Sequence, residues 1–272
     1  MSPISRLAAI ASGAGSQNFL GYRWIGGLLS AMPTAWKRGA ALRCLSMSPH
    51  YFFRTPANEA LNGLLFREAE FKRNSTCRES IVRDLIRHRV RANFTILDFG
   101  CGPGFLARAA SPFVARVQAC DISPGVLACA RILNAAPNID YVQAREDGGI
   151  PIPDSSVDLI YSFAVIQHIG EGVFQAVLRE WRRVLRPNGT VVCHIVVDGA
   201  GWRSERQWRD DKSLRGLLKW RFGMHCFNRT PEQVCSQVVA AGFNPPELTL
   251  IRDLEVHFED DIVSQHLCTF RK

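Results

Sequence analysis

Between Ile96 and Gly104 the chain reads ILDFGCGPG: a strand-like apolar run, an aspartate, and three alternating glycines. No other stretch limits the fold as tightly. Glycines placed after a strand and before a helix let the main chain approach a ligand closely, and the helix N-terminus offers N–H groups to a polar or anionic part of it. The spacing at Gly100, Gly102 and Gly104 is G-x-G-x-G. Dinucleotide sites use G-x-G-x-x-G and are apolar where Asp98 stands here, so the pattern argues against NAD. No Gly-Lys-Ser/Thr follows, which excludes a P-loop. Asp121 closes the next strand-like run, VQACD, 17 residues after Gly104. An acid at that place suits both hydroxyls of a ribose. Its structural alternative is to cap the helix that follows, for which Ser123 is the better-placed residue.

Around this loop, strand-like and helix-like segments alternate. FTILDF, RVQAC, IDYVQA, VDLIYSFAVI and TVVCHIVV read as five strands, and FLARAASPFV, SPGVLACARILN and Glu171 to Arg186 as intervening helices. Alternation of this kind predicts an α/β fold on a mostly parallel sheet. In the third helix Val173, Phe174, Val177, Leu178, Trp181, Val184 and Leu185 share a face, and RPNG ends it, with Gly189 suited to a left-handed turn. RTPEQVCSQVVAAGF predicts a further helix with Thr230 as N-cap, Pro231 at its first position and Gly242 at its end. ELTLI and QHLCTF supply two last strands. Residues 198–227 break the rhythm with Trp202, Trp208, Trp220 and five arginines, and read as an insertion over the substrate side. Upstream, Glu59 to Arg91 has the spacing of one or two amphipathic helices, so residues 1–90 are expected to form a helical extension and residues 91–272 the main domain.

Charge separates these parts. Up to Asn58 the chain holds Arg6, Arg23, Lys37, Arg38, Arg43 and Arg54 and no acid, which accounts for six of the eight excess positive charges. Its charge-free runs, Leu7 to Tyr22 and Trp24 to Trp36, are shorter than the roughly 18 to 20 apolar residues of a spanning helix, so no transmembrane span is expected. An acid-free, arginine-bearing start suits an organelle transit peptide, a segment lying on a membrane surface, or an extension covering the core; the last is favoured. The nine cysteines include no C-x-x-C pair and no zinc-type quartet, which predicts reduced thiols, a cytoplasmic setting and no metal. His225 and Cys226 form the nearest approach to a metal or nucleophile cluster, with a structural role preferred.

From Asn93 to Lys272 the chain resembles the class I S-adenosylmethionine-dependent methyltransferases. The resemblance rests on four motifs in order: ILDFGCGPG, ACDIS, PIPDSSVDLIYSFAVIQHI and VLRPNG. It implies a seven-stranded sheet with helices on both faces and an antiparallel last strand. It also implies S-adenosylmethionine bound at the strand ends where open α/β sheets take ligands. Carried over by residue, Gly100, Gly102 and Gly104 lie along the methionine part, Asp98 helps fix its amino group, and Asp121 holds the ribose. For the adenine, AREDGG offers Asp147 or Glu146, with Asp147 preferred.

Methyl transfer from a sulfonium is a direct displacement, so the protein mainly aligns the acceptor and excludes water. A base is needed only where the acceptor carries a proton. His168, just past the fourth strand, is the candidate base, against the plainer reading of a capping or core histidine. Tyr161, Gln167 and His194 are candidates to line the same pocket, with structural roles favoured. The expected acceptor is a small molecule, glycan or lipid-linked compound, methylated at oxygen. The alternatives are an RNA acceptor, suggested by interleaved Arg and Trp, and a non-catalytic binding or scaffold subunit.

Overall fold

A computed structural model describes residues 23–47, 51, 52, 58–145, 147–199, 201–214, 226–258 and 261–272. Seven strands form one sheet in the order β3-β2-β1-β4-β5-β7-β6, with helices flanking it. The described chain divides into two compact units, one formed by residues 19–143 with 256–259 and the other by residues 144–255 with 260–272.

The first unit opens with helices α1 (Arg23–Ala31), α2 (Thr34–Ser46) and α3 (Gly63–Ile81). The single helix α3 covers much of the predicted amphipathic stretch and continues through a π turn at Val82–Ile86 and a 3₁₀ turn at Arg87–Arg89. Strands β1 (Thr95–Phe99), β2 (Arg116–Asp121) and β3 (Ile139–Gln143) pair in parallel, with Asp98 opposite Ala119 and Phe99 opposite Cys120. Helix α4 (Phe105–Ala110) follows β1, and α5 (Pro124–Leu133) follows β2. The described part of the predicted extension shares a core with this unit: Ile25, Leu29, Leu42, Leu45, Phe52 and Phe66 pack with Phe105, Val126 and Cys129. Gly26 places α1 beside α5, where even a methyl group would make only an ordinary contact, 3.6 Å from Ala128 Cβ. The outer side of these helices leaves Trp24, Leu28 and Trp36 exposed. Among the described residues no helix is long and apolar enough to cross a membrane.

In the second unit β4 (Val157–Ser162) pairs in parallel with β5 (Leu185–Ile195). β7 (His266–Arg271) runs antiparallel to both β5 and β6 (Glu247–Leu250). Helix α6 (Glu171–Val184) buries Phe174, Val177, Leu178, Trp181 and Val184, while Val173 stays exposed. RPNG does not cap this helix as its glycine suggested: Leu185 already begins β5, and the residue with positive φ is Asn188, at 65°. Gly189 serves close packing instead, since a methyl group there would lie 2.6 Å from Leu185 Cδ2 and 2.9 Å from Arg186 O. Helices α7 (Glu205–Asp210) and α8 (Pro231–Ala240) each start from a capping box, at Ser204 and Thr230. Thr230 and Pro231 stand where the sequence puts them, and Gly242 has a φ of 86° just past α8. Of the Trp- and Arg-rich segment, Ala200 and residues 215–225, including Trp220 and His225, lie outside the described residues.

Candidate functional site

The glycine loop leaves the end of β1 and turns into α4. Gly100, Gly102 and Gly104 have φ values of 75°, 52° and 83°, a region that favours glycine, so the alternating glycines follow from the backbone path. The loop's N–H groups are used within the protein. Gly100 and Cys101 donate to Cys120 O at 2.8 and 2.9 Å, and Gly104 donates to Cys101 O at 2.9 Å. Gly102 N–H donates to Asp121 Oδ2 at 2.9 Å, and Pro103 has no N–H to give. The tight turn thus uses the N–H groups of Gly100, Cys101, Gly102 and Gly104 to hold its own shape. Asp98, at the end of β1, is 1% exposed.

Asp121 joins two elements. Its Oδ2 takes the Gly102 N–H, and its Oδ1 takes the Ser123 N–H at 2.8 Å. Ser123 does occupy the N-cap position of α5, but its side chain makes no capping bond; the carboxylate two residues earlier instead holds the N–H of Ser123 itself. Burial pushes the Asp121 acid above the ordinary carboxylate range, opposed by the N–H groups of Ser123, Gly102 and Ile122. A carboxylate offers about four lone-pair positions, so these N–H groups leave part of its accepting capacity for a ribose hydroxyl. That donor and acceptor arithmetic fits a ribose. Beside it Ile122 is 42% exposed, an apolar side chain set next to the acid. Gln143, at the end of β3, donates to Ile122 O and fixes that backbone.

Two tyrosines flank the loop. Tyr141 lies against Gly104: a methyl group there would come within 2.2 Å of the Tyr141 hydroxyl, which donates to Asn134 O, and Asn134 in turn donates to Pro103 O at 2.8 Å. Tyr51, from the segment between α2 and α3, lies over Gly102 at 3.4 Å by the same measure. The strand and helix periodicities give no sign of Tyr51, because it comes from an irregular segment far from the loop in sequence.

The second unit carries Asp147 and His168. Asp147 is exposed and pairs with Arg145, and its Oδ1 takes the Gly149 N–H at 3.1 Å. These two contacts, the backbone one first, hold its acid below the usual range. Glu146 lies outside the described residues. His168 ends a 3₁₀ turn, Ile166–His168, four residues beyond β4. Its Nδ1 lies 3.5 Å from Cys226 Sγ. Arg229, which sequence reading passed over, holds this turn from inside the protein: it is 2% exposed and donates to Ile166 O at 3.2 Å and to Ile169 O. Its guanidinium also lies 4.8 Å from the centre of the Phe174 ring, and burial lowers its pKa to about 10. Phe227 N–H donates to Gln167 O at 2.6 Å, so residues 226–229 brace the whole turn. Tyr161 and His194 are buried in β4 and β5; His194 Nδ1 accepts the Ala164 N–H at 3.1 Å, and its Nε2 meets Gln265 Oε1. Among the described residues no group of three or more His, Cys, Asp or Glu side chains is arranged to hold a metal ion.

Residues 97–193 match the family model of the methyltransferase domain. Curated relatives include a malonyl-[acyl-carrier protein] O-methyltransferase from Serratia marcescens, 32% identical over 39% of this chain and 39% of that protein. The corresponding protein of Hahella chejuensis is 33% identical over 54% of this chain and 50% of its own. A ubiquinone biosynthesis O-methyltransferase from Xanthomonas campestris is 32% identical over 35% and 40%. The chain thus spans half or less of the length of these relatives. Among solved structures, a provisionally assigned O-methyltransferase from Nostoc punctiforme superposes with a TM-score of 0.52 at 14% identity, covering 92% of this chain and 72% of that one. A chain of the complex between the Haloferax volcanii Trm112 methyltransferase activator and a provisionally assigned methyltransferase gives a TM-score of 0.51 at 19% identity, covering 75% and 92%. Both likenesses concern the fold.

Proposed function

Because the chain carries a class I S-adenosylmethionine-dependent methyltransferase domain, we propose that it moves a methyl group from that cofactor to an oxygen of a small-molecule, glycan or lipid-linked acceptor. The observation that carries the reading is the Asp121 carboxylate bonded to Gly102 N–H, which presents a ribose acceptor directly on the glycine loop. S-adenosylmethionine, when bound, supplies a methyl group activated on a sulfonium. The protein's part is to hold and orient, a contribution that lowers barriers by roughly 7 to 11 kcal/mol in favourable cases.

In this reading Asp121 takes the ribose hydroxyls and Ile122 offers its exposed side chain to the adenine. Asp98 and the path of Gly100, Gly102 and Gly104 shape the methionine end. Asp147 is the remaining adenine candidate, and its contact requires it to leave Arg145. His168 takes the proton of an alcohol or phenol acceptor; the tautomer this role requires carries its hydrogen on Nδ1, beside Cys226 Sγ, and leaves the Nε2 lone pair as the base. The oxygen preference is supported by the O-methyltransferases among the relatives.

The test uses the full chain, labelled cofactor, and panels of phenols, alcohols and carboxylates. Transfer to oxygen supports the reading, whereas transfer to nitrogen or RNA alone, or cofactor binding with no turnover on any panel, sinks it. His168→Gln separates the acceptor types. It is expected to lower kcat about 10²- to 10⁴-fold for a phenol or alcohol. A carboxylate, already ionised at neutral pH, needs no base and should lose far less; equal losses on both would remove His168 from proton transfer.

A further inference from the structure

The loop that should receive the charged amino-acid end of the cofactor has spent its own donors: the N–H groups of Gly100, Cys101, Gly102 and Gly104 are all bonded within the protein. Helix α4 has only six residues, and Asp98 and Asp121 stand close by in the same unit. A ligand carboxylate at this place meets two acids and, from Gly100 to Gly104, only N–H groups already bonded within the protein, so a side-chain donor over the loop would add to its binding.

Tyr51 has the geometry for it. A methyl group on Gly102 would lie 3.4 Å from Tyr51 Cε1 and 3.8 Å from its hydroxyl oxygen, so the phenol edge and its OH face the middle of the loop. The position is built by the N-terminal helices. Asn74, buried on α3, donates to Tyr51 O at 3.1 Å and to Glu70 O at 2.9 Å. The neighbouring Phe52 is sunk into the core shared by α1, α2, α3 and α5, against which Tyr51 also packs. Burial first, then the charges of Asp121, Cys101 and Cys129, push the phenol well above its ordinary value, so it keeps its proton.

We propose that Tyr51 is a cofactor-binding residue whose hydroxyl, held over Gly102 by the N-terminal helices, donates to the carboxylate at the amino-acid end of S-adenosylmethionine. The proposal rests on the cofactor reading of the glycine loop and adds to it that residues before the matched domain complete the site. A core-filling role alone needs only the ring.

The experiment is calorimetric titration of the full chain with S-adenosylhomocysteine and with 5′-methylthioadenosine, which shares the nucleoside and lacks the amino acid. Tyr51→Phe is expected to weaken S-adenosylhomocysteine about tenfold, the scale of a hydrogen bond to a charged group, and to leave 5′-methylthioadenosine and the melting temperature unchanged. Equal affinity of Tyr51→Phe and wild type for S-adenosylhomocysteine, or equal loss of both ligands, overturns the proposal. Asp121→Ala is the control for the underlying reading: it should weaken both ligands, and if it weakens neither, the loop is not the cofactor site and the proposal falls with it. In the wild type, nitration of Tyr51 by tetranitromethane, read by peptide mass spectrometry, should be suppressed by S-adenosylhomocysteine and not by 5′-methylthioadenosine; no protection by the former counts against it.

Discussion

At Gly104 two independent demands meet on one residue. Its φ of 83° is costly for any residue with a side chain, and the Tyr141 hydroxyl occupies the place a methyl group would take. The first term alone is worth about 1–2 kcal/mol. Gly104→Ala is therefore expected to lower unfolding free energy by at least that amount in denaturant titrations. Tyr141→Phe in the same chain should recover part of the loss by removing the clashing oxygen; no recovery would leave backbone strain and the ring carbons, 2.9 Å from the same methyl position, as the cause. Sequence spacing marks Gly104 as special but assigns the reason to a ligand. The structure adds a packing reason, set by a tyrosine on β3. Tyr51 and Arg229 are the opposite case: neither belongs to a motif, and both matter because of what folding brings beside them.

Among the elements, the 3₁₀ turn Ile166–His168 has few bonds of its own and depends on residues 226–229. Arg229 bonds the carbonyls on either side of it and has no described carboxylate bridge. Arg229→Met would leave two buried carbonyls to find other partners, at about 1–3 kcal/mol each. The expected result is a loss of about 2–4 kcal/mol in stability, with hydrogen exchange fastest at residues 165–169. A fully stable variant with unchanged exchange would mean that the Phe227–Gln167 bond alone holds the turn. The helices tell a simpler story. Thr230, Pro231 and Gly242 are local signals obeyed locally, because a cap acts within one turn. RPNG was read by the same local logic and behaves differently, since pairing with β4 extends β5 back to Leu185 and moves the left-handed residue to Asn188.

For the molecule as a whole, the ribose contact proposed for Asp121 would couple cofactor binding to pH. Its folded pKa is raised, so its contribution to the stability of the free protein is complete below the unfolded value of about 3.9 and is lost as pH rises through the folded value. The ligand runs the other way, because a ribose needs the ionised acceptor. S-adenosylhomocysteine at about 100 times its dissociation constant should add roughly 2.7 kcal/mol to stability near neutral pH. That increment should shrink as pH falls toward the raised carboxylate value, and Asp121→Ala should show little of it at any pH. A wild-type increment constant across this range would take Asp121 out of the binding equilibrium.

What the amino-acid sequence determined by itself are the features that short-range physics enforces. Alternating hydrophobic periodicities set the order of strands and helices, glycines mark where φ turns positive, and four motifs in order point to the fold and its cofactor. The seven strands, the parallel β1–β3 ladder and the capped α8 follow from these. Only the tertiary structure decided how the loop's donors are used, that Asp121 takes the Gly102 N–H, and that Tyr51 lies over Gly102. The contacts of Gly102 with Asp121 and with Tyr51 join segments distant in sequence, 19 residues apart in the first case. Such contacts come from burying helices against a sheet, and no local pattern records which side chains that burial brings together.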